Sequence, residues 1–254
     1  MSVELGAAAF AFLAVVCLLS GFVHGALGFG FPIVATPLAA LVIDIKSAIA
    51  LLVPVTLVLT AVSVLRGGAL RELAARWWFL PLAMALGAWL GTRLLIAAPP
   101  EPFLLVLAAV IVLYLNLDRL GFGASAGVQR WRVPCGLGFG FAAGVSEAVA
   151  NVAGPLLLIY FLLLGLAPSQ LVQTLNLCFT VGKTSQMAAW ITAGAMTPAT
   201  WLAAALLSLP ALAALLLGMR LRSRIDAATY RRWLRRALAA MALLLVAQFF
   251  FKAL

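Results

Sequence analysis

The 254-residue chain is 66% hydrophobic and 9% charged, against the roughly 25% charged residues of ordinary globular domains. A mean hydropathy of +1.18 leaves too little polar surface to coat a water-soluble globule and excludes intrinsic disorder. At about 20 residues per spanning helix, the apolar sequence supplies roughly eight to ten membrane segments.

The first apolar run extends from about Leu5 to Ile43, too long for one helix, and is interrupted by Gly25, Gly28, Gly30 and Pro32. Asp44-Ile45-Lys46 precedes a span from about Ser47 to Leu65. The loop Arg66–Arg76 leads to a span from about Trp77 to Ala97, with Trp77 and Trp78 placed as interfacial anchors. Pro99-Pro100-Glu101-Pro102 makes a tight turn before a span to about Leu117, and a glycine-rich loop covers Asp118–Arg132. From Val133 an apolar run reaches about Leu166, broken near Asn151, Gly154 and Pro155. The turn Ala167-Pro168-Ser169 opens a span ending near Ile191, and an uncharged loop, Thr192–Pro198, opens another over about Ala199 to Gly218. Arg220–Arg236 contains an amphipathic piece around Tyr230–Arg236, read as a cytoplasmic surface helix drawn to anionic lipid. A last span finishes near Phe251.

The formal net charge of +10 is not a nucleic-acid signature. Thirteen of the fourteen arginines lie in the stretches 66–76, 118–132 and 220–236, which is how cytoplasmic loops are marked. The exception, Arg93, stands near an external helix end and is expected to snorkel to the headgroups; the alternative is that it attracts an anion. Cys17, Cys135 and Cys178 sit singly in apolar runs, so neither structural disulfides nor a metal site is expected. No Lys or Arg precedes Lys46, so a cleavable signal peptide is not expected. Gly182-Lys183-Thr184 echoes the end of an ATP-binding P-loop, but Leu177 stands where its first glycine belongs, and no cofactor is expected.

The two halves read as an internal repeat: 1–117 and 133–254, joined by a cytoplasmic linker at 118–132. Setting Pro32 on Pro155, an offset of 123 residues, puts Gly21 on Gly144, His24 on Glu147, Gly28 on Asn151 and Lys46 on Ser169. After a few inserted residues, Gly91-Thr92-Arg93-Leu94 falls on Gly218-Met219-Arg220-Leu221. With the arginine-rich loops cytoplasmic, the span from Ser47 runs inward and its partner from Ser169 runs outward. The expected fold is therefore an all-α membrane protein of about 8 full spans plus interrupted or re-entrant segments, in two homologous halves of inverted topology, both termini external.

Each break exposes backbone amides at the start of a short helix, near Phe31 or Pro32 and near Gly154 or Pro155. Helix N-termini carry partial positive charge, so two aimed at one cavity would bind a small anion. The candidate substrate-binding residues at the breaks are Gly28, Gly30, Phe31, Pro32, Asn151, Gly154 and Pro155. The alternative is that these small residues only permit close helix packing. Glu147 and Lys183 lie inside apolar spans, where ionisable groups default to function. Lys183 would attract the anion and Glu147 carry a coupled proton; otherwise the pair merely stitches two helices. His24, the sole histidine and Glu147's repeat partner, reads either as a hydrogen-bonded structural residue or as a second proton or substrate group, since imidazole titrates near neutrality. Gln173, Asn176, Thr180, Lys183 and Thr184 share a helical face that reads as cavity lining; the alternative is a helix–helix hydrogen-bond seam.

The motifs Gly21–Pro32 (G-F-V-H-G-A-L-G-F-G-F-P), Ile33–Leu38 (I-V-A-T-P-L) and Gly144–Pro155 (G-x-x-E-x-x-x-N-x-x-G-P), with the late glycines Gly91 and Gly218, resemble the sulfite exporter TauE/SafE permeases over nearly the whole chain. The resemblance implies a small transporter with two homologous halves that moves anions such as sulfite, thiosulfate, sulfoacetate, other organosulfonates and some carboxylates. Asn151 stands where a glycine is more usual in that family, and Glu147 adds a charge.

The sequence therefore reads as a secondary transporter of a small anion, a sulfur oxyanion or organosulfonate, working by alternating access with proton coupling. Its partners are the anion, protons and the lipid bilayer, with room for a homo-oligomer and no nucleic acid. Composition is compatible with a bacterial inner membrane. An intramembrane lipid-processing enzyme or an accessory membrane subunit are the alternatives, though one histidine and seven carboxylates, mostly in loops, are poor material for an enzyme.

Overall fold

A chain this apolar must satisfy its backbone polar groups internally. The computed structural model describes residues 6–68, 70–99, 124–166 and 168–222, with isolated positions 109, 112, 116, 229, 232 and 236, and every regular element among them is an α-helix. These are α1 (Ala7–Leu27), α2 (Phe31–Ala39), α3 (Ile45–Gly67), α4 (Leu70–Trp77), α5 (Phe79–Ala97), α6 (Ala126–Arg130), α7 (Arg132–Ala150), α8 (Gly154–Leu164), α9 (Pro168–Thr192) and α10 (Pro198–Arg222). Helices α1, α3, α5, α7 and α10 are long and apolar enough to cross a membrane. The spans expected at 103–117 and 237–251 and the amphipathic piece at 230–236 lie outside the continuous described stretches.

Two tightly packed pairs flank a central pair. Helix α1 lies along α10, and α5 lies along α7. Between them α3 and α9 pack on one another, with α10 against α3 and α5 against α9. The flanking pairs show large apolar side chains outward, such as Leu82, Leu86, Leu90 and Leu94 of α5 and Leu202, Leu206 and Leu209 of α10. Helix α9 is as long as α10 but more polar. Its central place explains why it can be, since a helix enclosed by protein need not match lipid.

Glycines set how closely the flanking pairs approach. A Cβ on Gly21 would collide with the Ala211 carbonyl, and one on Gly218 with that of Phe22. In the other pair, Gly144 meets the Met84 carbonyl and Gly91 meets Val145. Both registers advance together, so each pair is parallel. The central helices run oppositely: Gly67 at the end of α3 meets Gln173 near the start of α9.

Asp44 caps α3 by accepting from the Ser47 amide at 2.9 Å. Lys46 then reaches the Ile96 carbonyl at the end of α5, 3.3 Å away. The stretch expected as a loop at Arg66–Arg76 is partly the short helix α4, amphipathic enough to lie along a surface. Trp77 differs from its expectation as an anchor. It is buried against Phe79 and Phe161, with the Arg132 guanidinium 5.1 Å from its ring centre, and only Trp78 stays exposed. Arg93 is exposed, lies over the Trp89 ring and donates to the Thr192 hydroxyl.

Candidate functional site

Both long apolar runs break inside the molecule. The first helix ends at Leu27, Gly28 and Gly30 take left-handed φ of 85° and 111°, and α2 starts at Phe31 with Pro32 in its first turn. The second ends at Ala150, Asn151 is left-handed at φ 60°, and α8 starts at Gly154 with Pro155 in its first turn. Left-handed backbone favours glycine, and asparagine is among the few other residues that adopt it readily. That accounts for Asn151 at the turn that Gly28 makes in the first run. Proline suits the first turn because its missing N–H would have had no helical partner.

The breaks meet one another. A Cβ on Gly154 would sit 3.6 Å from Ile33 and 4.0 Å from Phe29, and the Asn151 amide donates to the Thr36 hydroxyl of α2 at 2.6 Å. Phe31 itself is fully buried in the apolar cluster shared by α1, α3 and α10.

Around the first break, Asn176 of α9 donates to the carbonyls of Gly28 at 2.7 Å and Val172 at 2.9 Å. Both of its amide hydrogens are thereby used, so its oxygen faces His24 Nε2, 3.0 Å away. Histidine must then carry hydrogen on Nε2. Ser63 Oγ lies 3.5 Å from the same nitrogen, while Nδ1 has no partner. Around the second break, Lys183 donates to the Asn151 oxygen and to Gln186 Oε1 at 2.7 Å, and pairs with Glu147 Oε1 at 3.4 Å. Gln186 also donates to the Ala148 carbonyl. Glu147 and Lys183 are essentially sealed from solvent, at 2% and 0% side-chain exposure. Glu147 Oε2 has no partner and lies where Gly182 has no side chain.

A cavity of ≈ 370 Å³ reaches the first break from the end where α3 and α10 finish. Its walls include His24, Gly28, Gln173 and Asn176 together with Ser63, Arg66 and Arg222. The expected polar face of α9 is divided. Asn176 and Lys183 are buried at the two breaks, Gln173 sits at the cavity mouth, and Thr180 bonds the Asn176 carbonyl of its own helix. Thr184 is exposed and bonds Thr180. Sequence reasoning missed Gln186 and Ser63. Gln186 stands three residues after Lys183 and ten after Asn176, a helical spacing that marks it. Ser63 is its partner under the 123-residue offset.

The sequence profile of the sulfite exporter TauE/SafE family matches residues 13–249. The chain belongs to this family. No curated protein and no solved structure matches it significantly. As a member of a family of membrane transporters with five helices among the described residues fit to cross a bilayer, it is an integral membrane protein. In this TauE/SafE chain, the glycine-and-proline motifs at Gly21–Pro32 and Gly144–Pro155 form the left-handed turns and helix starts described above.

Proposed function

We propose that this TauE/SafE protein is a proton-coupled secondary transporter of a small anion, a sulfur oxyanion or organosulfonate, with its site at the two breaks. The observation that carries this reading is the apposition of two interrupted helices at equivalent places in the chain, each beside a buried polar cluster. Discontinuous helices meeting inside a bilayer are the recurrent binding architecture of secondary transporters.

An inverted repeat is supported by packing as well as by motif order. Gly21 on Ala211 has its counterpart in Gly144 on Met84, and Phe22 with Gly218 has its counterpart in Val145 with Gly91. The earlier helices are related by the 123-residue offset and the later ones by 127. The antiparallel course of α3 and α9 fits halves of opposite direction, 1–117 and 133–254 about the linker 118–132. Adding the expected spans at 103–117 and 237–251 brings the total to about eight. Arg66, Arg76, Arg132 and Arg222 gather toward one end, which the positive-inside rule makes cytoplasmic. Both termini are then external, in a membrane of inner-membrane type.

In the empty protein Lys183 is neutralised by Glu147. An arriving anion competes with the carboxylate for the ammonium, and protonation of Glu147 releases Lys183 to it. His24 is the second carrier: its Nδ1 is a free acceptor when neutral and an N–H donor when protonated. Proton and anion thus favour each other's binding.

Proteoliposome uptake tests the reading. Wild-type protein gives saturable, pH-dependent uptake of labelled sulfite or of a sulfonate, competed by unlabelled anion. Folded protein that moves none of a panel of sulfite, sulfonates and short carboxylates contradicts it.

A further inference from the structure

Lys183 has three partners and does not line the cavity, so in this conformation it is not the charge an incoming anion meets. Two other cations are. Arg66 at the end of α3 and Arg222 at the end of α10 both line the cavity. Among the described residues no carboxylate lies within ion-pair distance of either. Arg222 leans over the first break, and a Cβ placed on Gly28 would lie 3.0 Å from its Nη1. On the same walls the buried His24 keeps Nδ1 unpartnered and Gln173 keeps Oε1 unpartnered. The two guanidinium groups are the oxyanion-binding part of these walls, because the planar fork matches two oxygens at once, whereas the Gln173 oxygen and the Nδ1 of a neutral His24 are acceptors.

We infer that Arg66 and Arg222 form a loading site for a small oxyanion at the mouth of the transport route, distinct from Lys183 and reached from the arginine-bearing side. This rests on the anion-transport reading. The ≈ 370 Å³ volume falls at the small end of ligand pockets, which run to about 300–1,000 Å³, and exceeds the need of a bare oxyanion. Val172 and Met219 supply an apolar wall. The occupant is therefore an organic anion with a short tail, its acidic group on the arginines. Gln173 lies across Gly67 in space that a Cβ there would occupy, so its amide packs directly on the end of α3 at the cavity wall.

Calorimetric titration of the purified full chain with sodium ethanesulfonate, sulfite and acetate tests the assignment. Arg222→Gln weakens ethanesulfonate binding by about tenfold, the effect of losing one charge-assisted pair. Arg66→Gln with Arg222→Gln abolishes it, Arg222→Lys keeps the charge but loses the fork and restores only part of it, and Arg71→Gln, an exposed arginine that does not line the cavity, leaves it unchanged. Thermal midpoints within a few degrees of wild type show that the variants fold. Unchanged affinity in the folded double variant, or no saturable binding of any of the three salts by wild type, overturns the proposal. Flux separates it from the reading it rests on. Binding that needs the arginines without any wild-type flux contradicts transport and keeps the site, whereas wild-type flux with arginine-independent binding removes the site and keeps transport.

Discussion

At the residue scale, the second break is a buried polar cluster with one acid and one base. Breaking a buried pair by removing one member leaves the other charge uncompensated, at a cost of roughly 3–5 kcal/mol. Glu147→Gln strands the Lys183 ammonium, so its thermal midpoint falls well below that of wild type. Glu147→Gln combined with Lys183→Met recovers most of that loss. Equal destabilisation of single and double variants would show that the carboxylate does not stabilise the lysine. In flux assays Glu147→Gln flattens the pH profile, and an unaltered profile removes its proton role. Asn151 serves differently, as a left-handed turn that also holds Thr36 and Lys183. Asn151→Gly keeps the turn and loses only the bonds. Asn151→Val adds the left-handed penalty of about 1–2 kcal/mol, so it melts lower than Asn151→Gly; identical midpoints would mean the turn is not under that constraint.

At the element scale, the flanking pairs depend on glycines whose carbonyl neighbours leave no room for a side chain. Gly21→Ala separates α1 from α10, and Gly144→Ala separates α5 from α7, each lowering stability by the ~1–3 kcal/mol of overpacking. Gly138→Ala, on the same helix as Gly144 but with open space where its Cβ would go, is neutral or slightly stabilising. A comparable loss at Gly138 would attribute the effect to something other than helix contact. The helix starts at Phe31 and Gly154 were legible because glycine and proline punctuate a chain locally. The end of α1 was less so: Gly25 looks like part of the break, yet it stays helical because its task is to let Leu215 approach. The burial of Trp77 was not legible either, since a tryptophan beside an arginine loop reads as an anchor until Phe79 and Phe161 are seen to enclose it.

At the scale of the whole molecule, apolar composition made a helical membrane protein readable at once, and motif order suggested the two halves. What the sequence could not supply was which polar residues meet. The link from Asn176 to Gly28 spans 148 residues and that from Asn151 to Thr36 spans 115, and no local spacing records either. Arg66 and Arg222 were read only as loop charges, because their shared cavity exists only once α3 and α10 are packed. Sidedness follows from the same arrangement. With Cys17, Cys135 and Cys178 replaced, Arg71→Cys, at an exposed position of α4, reacts with a membrane-impermeant thiol reagent from the cytoplasmic side alone, and Arg93→Cys from the outside alone. Reaction of both from one side would refute the assigned orientation.

The central claim is that two interrupted helical hairpins meet inside the bilayer and hold a small anion. Crystals soaked in selenite, a heavier analogue of sulfite, test it directly. The account predicts an anomalous selenium peak touching residues 28–31 or 151–154, with both breaks open and in contact. A peak confined to the outer surfaces, or breaks wound into continuous helix and lying apart, would contradict it.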